Sequence, residues 1–227
     1  FSGVTDCYQP LESSYEVTRD CLEVCEAIGN PVCIVTKSAL VRRDTDLLAS
    51  IAEDVGARVC VSIPFAEDGR ARKIEPTAAA VSQRFRTIEH LSEAGIQTGV
   101  AVAPVIPGLN DSAIPDILDR AAEAGASTAF MTLLRLPRQV EPVFEERLRN
   151  QFPDRADKVM NTLREMRGGD LNAPDFGDRM VGEGPRWQTI ESLFELHCRK
   201  YGLRASQRPD VQSLEPAGSV QASLFDR

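Results

Sequence analysis

The apolar positions along the chain keep two alternating rhythms. Residues 31–36 form a short β-branched run, and residues 44–55 follow with Leu47, Leu48, Ile51 and Val55 at helical spacing. Residues 58–65 predict a second strand, and 76–94 a helix whose apolar stripe is Phe85, Ile88 and Leu91. A third strand is expected over 96–105, with its helix over 112–124 turning Ile114, Ile117, Leu118 and Ala121 inward. A fourth is expected over 127–136, and residues 1–5 look like the tail of an earlier strand feeding a helix over 15–28. Gly29, Gly56, Gly95 and Gly125 stand where these helices should stop, the usual place for a left-handed terminating residue. Near-continuous apolar strands alternating with amphipathic helices predict a parallel sheet covered on both faces. No glycine-rich phosphate fingerprint follows any strand, so a partial (β/α) barrel is expected in preference to a doubly wound sheet.

From Val140 onward the pattern is helical only, over 142–151, 153–166 and 185–201, with a Gly-, Asp- and Asn-rich surface loop at 168–184. The domain division expected is therefore a partial (β/α) barrel over 1–137 and a helical extension over 138–204. The polar, Pro/Ser/Gln-rich residues 205–227 are expected to form a disordered tail.

Composition narrows this picture without changing it. The 227 residues are 42% hydrophobic, 26% charged and 6% aromatic, an ordinary globular balance. No apolar run is long enough to span a bilayer and no basic-then-apolar leader is present, so a cytoplasmic location without a membrane partner is expected. Six cysteines lie mostly inside the periodic segments, which favours reduced thiols over a disulfide framework. The chain opens on Phe1, in mid-pattern, and is expected to be a fragment. The net charge of −8 is unevenly spread: residues 135–208 carry 14 Lys+Arg against 12 Asp+Glu, so the excess acid lies elsewhere. The less acidic third either steers a polyanion to one face or is a set of solvated helix surfaces.

In parallel α/β folds the chemistry sits at the carboxyl ends of the strands. Those ends supply Thr5, Asp6, Tyr8 and Gln9, then Thr36, Lys37 and Ser38, then Ser62, the stretch 104–111, and Arg135. Lys37 ends an apolar run, so its ammonium either meets a ligand carboxylate or phosphate or reaches out to solvent. Asp6 either holds a ligand amine or caps the following helix. The two histidines, His90 and His197, fall in the middle of amphipathic helices, which disfavours a Ser/His/Asp triad or a His-rich zinc site. Cys21 and Cys25, one helical turn apart, are either half of a metal site or a packed pair. No nucleotide-binding motif of the Walker or dinucleotide type occurs.

Several ordered stretches carry a resemblance. They are Gly3-Val4-Thr5-Asp6-Cys7-Tyr8-Gln9-Pro10-Leu11-Glu12, Ile34-Val35-Thr36-Lys37-Ser38, the run from Ala103 to Asp111, Leu134-Arg135-Leu136-Pro137, Arg167-Gly168-Gly169 and Gly182-Glu183-Gly184-Pro185. Over residues 1–203 the chain resembles the radical SAM family related to spore photoproduct lyase, also described as DNA repair photolyase-like. The resemblance implies a partial (β/α)6 TIM-like barrel followed by C-terminal helices. It also implies a lyase-like enzyme that cleaves S-adenosylmethionine reductively at a [4Fe–4S] cluster. Its substrate would be nucleic acid or a nucleotide, and a reductant protein would supply electrons. On this resemblance Thr5 and Asp6 meet the methionine end of the cofactor, and Lys37, beside Ser38, pairs its carboxylate. Ser62 lies near the ribose, and Ala103, Pro104 and Val105 pass the adenine, while Cys7 and Tyr8 are the candidate catalytic residues.

The chain departs from the family in one respect that bears on the metal. No Cys-x3-Cys-x2-Cys occurs, since Cys21 and Cys25 have the first spacing but position 28 is Ile. No metal ligand is assigned within the chain, whose first barrel strand and cluster loop are expected upstream of residue 1. Alone, the chain is expected to be inactive and, with an open sheet edge, prone to aggregate. Gly3 takes the place of the hydrogen-donating Cys of spore photoproduct lyases, with Cys7 a nearby thiol beyond Asp6. In the tail, Gln221-Ala222-Ser223-Leu224-Phe225 is similar to the peptide by which bacterial repair proteins dock on the β sliding clamp, through Gln221, Leu224 and Phe225. The alternative function is accordingly a cluster-less, clamp-tethered binding module without catalysis.

Overall fold

The computed structural model describes residue 1, residues 5–169, residue 171 and residues 181–206. Five parallel strands form one sheet in sequential order: β1 (Val32–Thr36), β2 (Ala57–Ser62), β3 (Gln97–Val105), β4 (Thr128–Leu133) and β5 (Arg204–Ala205). Between the strands run α3 (Thr45–Asp54), α5 (Val81–Glu93) and α6 (Ile114–Glu123), while α2 (Val17–Ile28) precedes β1 and α9 (Gly184–Lys200) precedes β5. The strand–helix alternation and the parallel pairing are those of a partial TIM-like (β/α) barrel, as the periodicity predicts. Gly29, Gly56, Gly95 and Gly125 all take positive φ between the helices and the next strand.

The sheet's two faces differ, as period-2 alternation requires. Val32, Ile34, Val59, Val61, Val100 and Val102 face the helices and join one large core with Leu48, Ile51, Ile88, Leu91, Ile117 and Leu118. The opposite face carries a small cluster of Cys60, Ala101 and Phe130, flanked by Val35 and Ala103. At the amino end of that face Arg58, only 2% exposed, donates from Nε and Nη2 to Gln97 Oε1 at 3.0 and 2.7 Å. This pairing closes the floor, leaving the polar strand ends at the opposite, carboxyl rim.

Three local differences from the sequence expectations bear on that rim. The helix expected over 15–28 is split at Glu16, whose φ is 52°, into α1 (Glu12–Tyr15) and α2. An unforeseen helix α4 (Asp68–Ile74) follows β2 and ends at Glu75. At seven residues, with Ala71 its one buried side chain, it is too short to leave an apolar period. The two-residue β5 was also unforeseen, because its residues are exposed and polar in context. Helices α7 (Glu141–Gln151) and α8 (Pro153–Glu165) pack on each other beyond β4, and α9 packs on α6. The expected strand over 1–5 lies outside the described residues at 2–4, as do the Gly3 position, most of the 168–184 loop and the Gln221–Phe225 peptide. Among the described residues no helix is long and apolar enough to cross a membrane. All six cysteines are free thiols.

Candidate functional site

Asp6 fastens the loop of residues 5–9 to the end of β1. Its Oδ1 accepts from the Tyr8 backbone N–H at 2.9 Å and from the Thr36 hydroxyl at 2.7 Å. Its Oδ2 accepts from the Lys37 backbone N–H at 2.8 Å. The carboxylate thus bridges its own turn and the strand end, and does not cap a helix. Thr36 Oγ1 accepts in turn from the Ser38 N–H at 2.9 Å. The Ser38 hydroxyl caps the short 3-10 turn at Ala39–Asp44 by accepting from the Leu40 N–H at 3.2 Å.

Behind the loop lies a buried charge network that the sequence did not reveal. The Tyr8 hydroxyl donates to Asp44 Oδ2 at 3.0 Å. Asp44, fully buried, also receives Arg19 Nη1 at 3.0 Å, Arg43 Nε at 2.8 Å and Arg43 Nη2 at 2.9 Å. Arg43 reaches on to Glu12 Oε1 at 2.7 Å, and the Thr18 N–H donates to both Glu12 oxygens. Burial opposes ionisation of Asp44, but the bonds from Arg43, Arg19 and Tyr8 outweigh it and hold its carboxyl below the usual range. Glu12 is likewise lowered, burial being outweighed by Arg43 and Thr18. Burial first, and then the Asp44 charge, push the Tyr8 phenol far upward, so it stays protonated.

A second network ties the ends of β1, β2 and β3. Lys37 Nζ pairs with Glu75 Oε1 at 3.2 Å, and Glu75 Oε2 with Arg84 Nη2 at 3.0 Å. Arg84, 1% exposed, also donates to the Ser62 carbonyl at 2.9 Å. The Ser62 hydroxyl donates to the Ala103 carbonyl at 2.7 Å. The peptide bond from Ala103 to Pro104 is cis, and the β3–β4 register shifts between Val102 and Val105. Buried Asn110 secures that turn, donating to the Pro64 and Pro104 carbonyls at 2.7 and 2.9 Å and accepting from the Ile106 N–H at 2.6 Å.

Thr5, Asp6, Cys7 and Gln9 line a cavity of about 390 Å3 together with Glu12, Thr18 and Cys21. Lys37, Ser38, Ser62, Ala103, Pro104 and Val105 are not in its wall; Lys37 and Ser38 are joined to Asp6 through the first set of bonds, and Ser62, Ala103 and Pro104 belong to the second network. At the end of β4, Arg167 donates to the Leu133 and Leu134 carbonyls at 3.1 and 2.9 Å. Burial, and next the charge of Arg135, lower its pKa, so two guanidiniums share that rim. Burial, and next the Cys33 thiol, push Cys60 up to about 12. Among the described residues no group of three or more His, Cys, Asp or Glu side chains is placed to hold a metal ion. The candidate residues therefore do not fit a [4Fe–4S] cluster. Lys37 is paired with the Glu75 carboxylate, and Asp6 borders the cavity while its oxygens hold its own turn and the end of β1.

No family model matches the sequence. The chain is 29% identical over 225 residues to an uncharacterized protein of Mycobacterium tuberculosis, covering 97% of this chain and 62% of that protein. It is 25% identical over 171 residues to the radical SAM Nalpha-GlyT isomerase of Pseudomonas phage M6, covering 74% of this chain and 35% of the isomerase. Among solved structures it shares the fold of spore photoproduct lyase complexed with dinucleoside spore photoproduct. That match has a TM-score of 0.62 at 17% identity, over 88% of this chain and 59% of the lyase. The chain thus spans about three-fifths of the length of the mycobacterial relative.

Proposed function

We propose that this chain forms the cofactor-holding part of a radical S-adenosylmethionine enzyme that acts on nucleic acid, a lyase of the DNA-repair type. The observation that supports it most is the junction at the end of β1, where Asp6 holds the Thr36 hydroxyl and the Lys37 backbone N–H and the Lys37 ammonium reaches Glu75. That strand end belongs to a parallel sheet with the fold of spore photoproduct lyase. In this reading Asp6 accepts from the ammonium of the ligand's amino-acid end, with Thr5 beside it. Lys37 exchanges Glu75 for the ligand carboxylate, next to Ser38. Ser62 and the 103–105 turn lie along the ribose and base.

When bound, S-adenosylmethionine at a reduced cluster supplies homolytic, hydrogen-abstracting chemistry. The cluster's ligands come, in this reading, from outside the 227 residues, and a reductant protein supplies the electron. Cys7, in the wall of the cavity beside Asp6, is the candidate thiol. Tyr8, with its hydroxyl committed to Asp44, acts as a positioning residue for that loop. The guanidinium of Arg135, beside buried Arg167, suits a phosphate-bearing substrate at the rim of β4.

Equilibrium dialysis of labelled S-adenosylmethionine against the chain tests the ligand assignment without turnover. Binding is expected to weaken about tenfold in Lys37→Met, as loss of one charge-assisted contact implies. Binding unchanged by both Lys37→Met and Asp6→Asn would overturn the assignment.

A further inference from the structure

On the helix-covered side of the sheet a cavity of about 160 Å3 opens between α9, β4 and the short strand β5. Its wall includes Met131, Trp187, Phe194 and Ala205, with the carboxylates of Glu191 and Glu195 beside them. Positions 187, 191 and 194 fall on one stripe of α9, so the two rings and one carboxylate face the same space. Trp187 is 3% exposed, yet its indole N–H, fully buried, has no acceptor among the described residues. Such a donor carries a desolvation cost that only a partner can offset. Glu191 is half-buried and forms no hydrogen bond or ion pair among the described residues, while Glu195 has only a long contact to Arg199, at 3.9 Å. An aromatic wall with the carboxylate of Glu191 at its edge attracts a positive charge through both ring quadrupole and Coulomb terms. The volume is close to that of a cavity that admits a benzene-sized group.

We propose that this cavity binds a small organic cation on a short apolar stem, a guanidinium or primary ammonium, separately from the strand-end site. The stem lies against Met131 and Phe194 and the charge meets Glu191; a ligand that also carries an acceptor beside the stem takes the Trp187 N–H. The same cation has two sources, a free amine such as agmatine or an arginine side chain of a bound peptide. Only the second brings a backbone carbonyl for the indole.

Trp187 is the one tryptophan of the sequence, so its fluorescence reports this cavity alone. The chain is titrated with agmatine, with N-acetyl-arginine methylamide, and with neutral N-butylurea. A saturable change in emission is expected with one or both cations and none with N-butylurea. Glu191→Gln is expected to weaken the cation's binding about tenfold. Tighter binding of the arginine amide assigns the peptide source, and tighter binding of agmatine the free amine. No saturable change with either cation, an equal response to N-butylurea, or unaltered affinity in a folded Glu191→Gln variant would overturn the proposal. If that variant fails to fold, the comparison of charged with neutral probes on the unsubstituted chain decides alone.

Discussion

Asp44 is an ionised carboxylate with no exposed surface, held by two arginines and a tyrosine hydroxyl. Removing its charge leaves Arg43 and Arg19 without their shared partner, and breaking such a buried pair typically costs about 3 kcal/mol or more. Asp44→Asn is therefore expected to lower unfolding stability by about 3 kcal/mol at neutral pH, measured by urea titration. The pH dependence follows from the lowered native pKa of both Asp44 and Glu12. Their contribution is complete above the ordinary carboxylate value of about 4 and is lost as the pH falls through the lower native values. The parent chain should lose stability steeply on that acid limb, and Asp44→Asn should flatten it. A flat limb in the parent would show that the network adds nothing to folding. Thiols divide on the same physical ground. Exposed Cys21 should be alkylated by iodoacetamide at pH 8 within minutes, whereas buried Cys60, pushed up to about 12, should resist until the chain unfolds. Peptide mass mapping distinguishes the two. Lys37 and Ser62 could be placed at strand ends from the sequence because each follows an apolar run, whereas Asp6 follows the mixed stretch Phe1 to Thr5. Asp44, Glu75 and Arg84 were not legible there, because their burial depends on partners far along the chain.

Elements with a clear period were legible and short ones were not. The strands expected over 31–36, 58–65, 96–105 and 127–136 became β1 to β4, with boundaries moved by a few residues. Helix α4 and strand β5 escaped, and α4 matters because it ends at Glu75, the partner of Lys37. Gly99, in the middle of β3, shows why a strand glycine can be a packing requirement. A Cβ there would collide with the Thr128 hydroxyl and lie 3.1 Å from Cys60 Sγ. Gly99→Ala should cost about 1 to 3 kcal/mol through overpacking, seen as a lower urea midpoint at an unchanged slope. An equal midpoint would show that Thr128 rotates away at no cost.

At the scale of the whole molecule, the fold was legible because parallel strands buried on both faces write long apolar runs, and the carboxyl ends follow from chain direction. The sequence did not show that Lys37 pairs with Glu75, or that Asp6 spends its oxygens on its own loop and β1. The chain spans only part of its relatives' length, so the claim that this rim receives S-adenosylmethionine is best tested by mapping the ligand onto the chain itself. Amide chemical-shift mapping by NMR, with S-adenosylmethionine titrated to millimolar concentration, does this directly. Shifts are expected to be confined to residues 5–8, 36–38, 62 and 103–105, and diminished in Lys37→Met. No saturable shifts, or shifts centred elsewhere on the molecule, would contradict that claim.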